Sequence, residues 1–114
     1  MTNQRIEHSM KILLLAGDAR AKCMEALSAI SNQEIDYAKK LLNEAQEIIT
    51  NAHKVQTEII QEEICKEYNE YSLLFSHAQD TLMTICSEIN IAKQLIKIFT
   101  QYNQRLCELE KVHI

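Results

Sequence analysis

Proline is absent from this chain of 114 residues, and glycine occurs once. Strand reversals and bulges draw on both, so their scarcity argues against a β architecture and for long uninterrupted helices. Tryptophan is also missing and aromatics reach only 5%, so the core must be aliphatic; hydrophobic residues at 46% suffice to build one. Nor is there an excess of positive charge: 12 basic against 16 acidic side chains leave a net charge of −4. Phosphate backbones are bound by basic stripes, so nucleic acid is a poor fit as partner.

A membrane-spanning stretch is lacking as well. The longest apolar run, Ile12-Leu13-Leu14-Leu15-Ala16, falls far short of the roughly 20 residues that a span requires. It has no small-residue cleavage site and meets charge at Asp18 and Arg20, unlike a signal peptide. Cys23, Cys65, Cys86 and Cys107 stand far apart, with no Cys-x-x-Cys pair and no histidine at zinc-site spacing. They read as small buried thiols in a reducing compartment. The expectation is a cytoplasmic protein with no direct membrane insertion.

What is present is helical periodicity with two interruptions. Ser31-Asn32-Gln33-Glu34 fits the S-x-x-E capping box that opens a helix. At Glu67-Tyr68-Asn69-Glu70-Tyr71-Ser72 the apolar period lapses, and Asn69 suits a left-handed helix end. These breaks predict helices near 4–30, 33–66 and 71–110. Short links between long helices impose antiparallel neighbours, so the chain, 1–114, is expected to form one all-α domain, an up-down-up three-helix bundle. The first segment places Ile6, Met10, Leu13, Leu14, Ala21, Met24 and Leu27 on its core face. The second uses Ile35, Ala38, Leu42, Ala45, Ile49, Ala52 and Ile59, flanked by Leu41, Ile48 and Val55.

The third segment differs in having two apolar stripes. Phe75, Ala78, Leu82, Ile85, Cys86, Ile89, Ala92 and Ile96 form one. Leu73, Ile91, Leu95, Ile98 and Tyr102 form another, rotated by about 120°. One stripe is enough to meet two sister helices, so the second predicts self-association. Within it stand His77, Asp80 and Thr84. Three positions separate His77 from Asp80, about 4.5 Å of axial rise, so they share a face. Polar groups on an apolar stripe need a partner or a use. Three readings stay open: a local hydrogen-bonded pair, an imidazole that accepts and releases a phosphoryl group, or a carboxylate that joins symmetry mates around one hard cation.

Other candidates are weaker. His8 and His113 lie near the ends and read as solvated. His53 borders the second core stripe as a structural histidine or an indirect support of a site. Gly17, mid-helix at a cost of about 1 kcal/mol relative to Ala, suggests close helix approach. Glu58, Glu62, Glu63 and Glu67 read as a solvated face, and Tyr37, Tyr68, Tyr71 and Tyr102 do not group into a binding platform.

The stretch His77-Ala78-Gln79-Asp80-Thr81-Leu82-Met83-Thr84 resembles the signature of the lactose/cellobiose-type enzyme IIA of the bacterial sugar phosphotransferase system. Three more blocks agree in order and spacing: Ala16-Gly17-Asp18-Ala19-Arg20-Ala21-Lys22, Ala38-Lys39-Lys40-Leu41-Leu42-Asn43-Glu44-Ala45 and Ala52-His53-Lys54-Val55-Gln56-Thr57-Glu58. The resemblance covers roughly residues 10–100. It implies a homotrimer of three-helix bundles, nine helices in all. It implies that His77 accepts a phosphoryl group from the phosphocarrier HPr, through Nε2, and passes it to a cysteine of enzyme IIB, serving the membrane permease, enzyme IIC. It also implies one Mg2+ per trimer, shared by three Asp80 carboxylates. The sugar would be a β-linked disaccharide of lactose, cellobiose or chitobiose type. Thr81 replaces a second histidine that many members carry, the link near Asn69 lacks their glycine, and residues 101–114 match no block. The rival readings are a histidine phosphotransfer domain of two-component signalling, which would set Lys and Gly after the histidine, and a non-enzymatic helical interaction protein.

Overall fold

The computed structural model describes residues 3–66 and 72–112. They form α1 (Asn3–Ser31), α2 (Ile35–Lys66) and α3 (Leu73–Val112), with no strand among the described residues. Cross-helix pairs give their directions. Arg5 meets Glu63 while Lys22 meets Glu44, so α2 descends as α1 rises. His53 meets Cys86 while Gln46 meets Lys93, so α3 rises as α2 descends. The all-α up-down-up bundle predicted from the sequence is the one observed. The expected left-handed turn at Asn69 lies outside the described residues.

The α1–α2 turn forms differently from the expectation. Ser31 closes α1 rather than capping α2. Gln33 takes a left-handed φ of 64°, Glu34 N–H donates to the Ala29 carbonyl at 2.9 Å, and Gln33 N–H donates to Ile30 C=O at 2.9 Å. This six-to-one and five-to-two pattern is a Schellman closure, which satisfies the last carbonyls of α1. The helix reaches the serine of the S-x-x-E pattern because Ala29 and Ile30 are still buried in the core. At the start of α3, Ser72 Oγ accepts the Phe75 N–H at 3.1 Å, a side-chain cap on an otherwise orphaned donor.

Small side chains line the core of α1. Ile12, Ala16, Ala19, Cys23, Ala26 and Ile30 are buried, with Ser9 fully enclosed among them. Most of the face expected from bulk is instead outside: Leu14 is 67% exposed and Met24 57%, with Ile6, Met10 and Ala21 also exposed, whereas Leu13 and Leu27 pack partly buried against the core. At 100° per residue the buried line is turned by about 140° from the expected one. Alanines allow closer helix approach than leucines, and that choice of face wins. The second helix follows its expected stripe, with Ala38, Leu42, Ala45, Ile49, Ala52 and Ile59 buried and Ile35 partly so.

Gly17 marks no close approach within the chain: it is exposed, and an added Cβ would meet nothing within 4 Å. The cysteines are all free, but only Cys23 is buried; Cys86 is half-buried, and Cys65 and Cys107 are exposed. Arg20 forks onto both carboxylate oxygens of Glu88, at 3.1 and 3.0 Å, which sets α1 and α3 in axial register. Eleven residues further along each, Ser31 comes level with Phe99, so the remainder of α3 overhangs the bundle. Among the described residues no helix is long and apolar enough to cross a membrane.

Candidate functional site

The first turns of α3 have two faces of opposite character. Phe75, Ala78, Leu82 and Ile85 are buried against α1 and α2. The opposite line carries Leu73, His77, Asp80 and Thr84, all exposed. Leu73 is 73% exposed and Ile91, five helical turns later, is 58%. Ile98 and Tyr102 continue the line outside, while Leu95 is half-buried. The two stripes read from the sequence are therefore distinct surfaces, one packed and one without cover from this chain.

On that uncovered line the imidazole and the carboxylate stand side by side. Neither side chain has a hydrogen-bond or ion-pair partner among the described residues, so the local-pair reading of His77 and Asp80 finds no bond between them. Thr84 Oγ1 donates to the Asp80 carbonyl at 2.8 Å, which occupies its hydroxyl within the helix. Gln79 and Thr81 flank the site half-buried. The backbone is held rigid beneath His77 by the Ser72 cap and by the enclosed Ala78, so the ring is presented from fixed scaffold to open solvent.

Among the described residues, no three His, Cys, Asp or Glu side chains of one chain come together as metal ligands. A single Asp80 carboxylate supplies too few donors for a cation. Its freedom from any partner, on an exposed apolar line, fits a donor set completed by other copies.

The remaining candidates separate from this site. His53 Nε2 lies 3.2 Å from Cys86 Sγ, and Nδ1 lies 3.3 Å from Gln56 Oε1. This joins α2 to α3, nine residues after His77 along α3, or about 13 Å of rise. Burial pushes the Cys86 thiol above its ordinary range, so it remains protonated and serves as a bridge. No sequence motif marks this contact; only the register of α2 against α3 brings the two together. His8 is partly buried, with Nδ1 enclosed and unpartnered, rather than solvated. Of the acidic run, Glu58 is exposed, whereas Glu63 is half-buried and paired with Arg5. Tyr37 donates to Glu25 at 2.8 Å. His113, Glu67, Tyr68 and Tyr71 lie outside the described residues.

Comparison with known proteins places this geometry in context. The family described as PTS system, lactose/cellobiose-specific IIA subunit, matches residues 7–100. The lactose-specific EIIA component of Staphylococcus epidermidis is 43% identical over 89 residues, covering 78% of this chain and 86% of that protein. The lichenan-specific phosphotransferase enzyme IIA component of Bacillus subtilis is 34% identical over 104 residues, covering 90% and 94%. The crystal structure of the cellobiose-specific enzyme IIA from Bacillus anthracis superposes with a TM-score of 0.83 at 33% identity, covering 91% of this chain and 94% of that one.

Proposed function

This chain belongs to the lactose/cellobiose-specific IIA family of the sugar phosphotransferase system, and from that premise we propose that His77 is its phosphoryl-carrying residue. The rival readings as a two-component phosphotransfer domain or a helical scaffold lose their ground with the family match. The observation that carries the proposal is the exposed, unpartnered His77 on a capped, packed helix.

A neutral ring nitrogen of His77, Nε2 by the family resemblance, attacks the phosphorus of phospho-HPr. A bond from that nitrogen to phosphorus forms as the bond to the donor breaks, and HPr leaves unphosphorylated. A cysteine sulfur of enzyme IIB then attacks the same phosphorus, and the His77 ring is released. Such transfer asks the protein mainly for position and for charge stabilisation. The phosphoryl group adds about two negative charges one turn from the start of α3, where the helix dipole favours them.

The uncovered line of α3 supports a homotrimer, with His77 and Asp80 at the seam between copies, nine helices in all. Three Asp80 carboxylates around one axis repel unless protonated or neutralised. They would hold one Mg2+, which supplies positive charge beside the phosphoryl site when bound. We place the protein in the cytoplasm, taking phosphate from HPr and delivering it through IIB to a IIC permease for a β-linked disaccharide of lactose, cellobiose or chitobiose type.

The test is labelling with phosphoenolpyruvate, enzyme I and HPr. One phosphoryl group per chain is expected, and none on His77→Ala. Undiminished labelling of His77→Ala refutes the assignment. Light scattering should report about 40 kDa, three times 13.2 kDa, with chelator-sensitive stability that Asp80→Leu removes.

A further inference from the structure

Away from His77, the groove between α2 and α3 opens into a hollow of about 790 Å3. Lys93 pins the two helices there, its Nζ donating to Gln46 Oε1 at 2.7 Å. Carried on from that pair and from His53–Cys86, the antiparallel register sets Lys97 level with Leu42 and Lys39 level with Thr100. Lys39, Lys93 and Lys97 all line the hollow, and they do so from within about two turns of one another, roughly 10 Å along the axis.

The positive charge gathered there is uncompensated. Lys93 is held by a neutral amide, and Lys39 and Lys97 are exposed without a partner among the described residues. No described carboxylate lines the hollow. Elsewhere Arg20 and Lys22 each close onto a glutamate of a neighbouring helix, and the chain as a whole carries −4. Three ammonium groups collected without a counter-charge attract an anion. Beside them Asn43, Asn90 and Gln94 offer amide donors and acceptors, and Leu42 and Ile96 are buried at the base. Small-molecule sites combine a few convergent polar groups with an apolar floor in roughly 300–1,000 Å3, and this hollow does the same. At about 100° per residue, Lys93 and Lys97 stand about 160° and 120° around α3 from Ile91 on the uncovered line. The charged side of the hollow is therefore turned away from the proposed seam between copies.

We propose that this hollow binds a small organic phosphate, a phosphate monoester on a hydroxyl-bearing skeleton. Lys39, Lys93 and Lys97 hold the phosphate oxygens, and the amides of Asn43, Asn90 and Gln94 hydrogen-bond the hydroxyls. Three lysines suit a dianion with three strong acceptor oxygens better than a singly charged carboxylate. The inference stands apart from the role of His77: Asn90 lies 13 residues further along α3, or about 20 Å of rise.

Titrating the full chain with glucose 6-phosphate, inorganic phosphate and glucose tests it, read by NMR shifts of the lining residues and by the alkylation rate of Cys86. That thiol lines the same hollow, so bound ester should slow its alkylation several-fold and leave the exposed Cys107 unchanged. The ester should bind about tenfold more tightly than inorganic phosphate, and glucose should not bind. Lys39→Gln and Lys97→Gln should each weaken ester binding roughly tenfold, whereas Lys54→Gln, exposed outside the hollow, should leave it unchanged. Affinity should rise as pH passes about 6, where the ester gains its second negative charge. Absence of shifts and protection at millimolar ester, equal binding of inorganic phosphate or of glucose, or indifference to both lysine changes overturns the proposal. Loss of the His77 assignment in the labelling assay would leave it standing, and its own failure would leave that assignment intact.

Discussion

The two ends of α3 are built to different rules. Between Leu73 and Ile85 one face is enclosed by α1 and α2, and the first turn is capped by Ser72. Beyond Asn103 every described side chain is exposed. The first end can hold a ring at a fixed place because its backbone is pinned from behind. The second can offer only a surface whose order must come from outside. The proposed carrier His77 stands on the pinned end, and the other end carries exposed apolar and charged groups.

Substitutions sharpen this contrast. Leu82→Ala, in the enclosed end, should cost about 2–5 kcal/mol of unfolding free energy. Leu109→Ala should cost less than about 0.5 kcal/mol under conditions where the chain is a monomer, both read by urea denaturation. Equal losses would erase the distinction between the ends. The caps form the next pair. Ser72→Ala should cost about 1 kcal/mol and raise amide exchange in the first turn of α3. At the overhang end Gln33→Gly should gain about 1 kcal/mol, because Gln33 holds a left-handed φ of 64° that glycine adopts without strain.

Midway along the bundle, Gly17→Ala should also gain about 1 kcal/mol in a monomer, since space stands open there. Weaker association of the same variant would instead put a second copy against that position. The smallest effect concerns acid. The Lys22 ammonium, donating at 2.8 Å, holds the Glu44 carboxyl below its ordinary range. A depressed carboxyl contributes stability above its unfolded pKa and loses it as pH falls through the folded one. Glu44→Gln should therefore slightly flatten the loss of stability below pH about 4.5.

Sequence carried much of this, unevenly. The second and third helices could be phased because their bulky residues, such as Ile49, Leu82 and Ile89, are also their buried ones. The first could not. Its fully buried line is largely Ala16, Ala19, Cys23 and Ala26, while Leu14, Met10 and Met24 face out and Leu13, Leu15 and Leu27 are only partly buried. Hydropathy ranks size, whereas close helix packing selects small groups. The α1–α2 turn misled for a related reason: Ser31 and Glu34 spell a helix start, but burial of Ala29 and Ile30 carries α1 on to Ser31. At the site, period alone put His77 and Asp80 on one face without deciding their use; the proposed use comes from the motif around them. The contact between His53 and Cys86 depends on inter-helix register, which no local pattern encodes.

The alanine-lined interior constrains how this protein can change. A core joined through methyl groups leaves little slack, and enlarging Ala16 or Ala45 would wedge two helices apart along their length. Lineages that turn such a carrier toward a new transporter must therefore write the change on its outward lines. Its inner ones are spoken for.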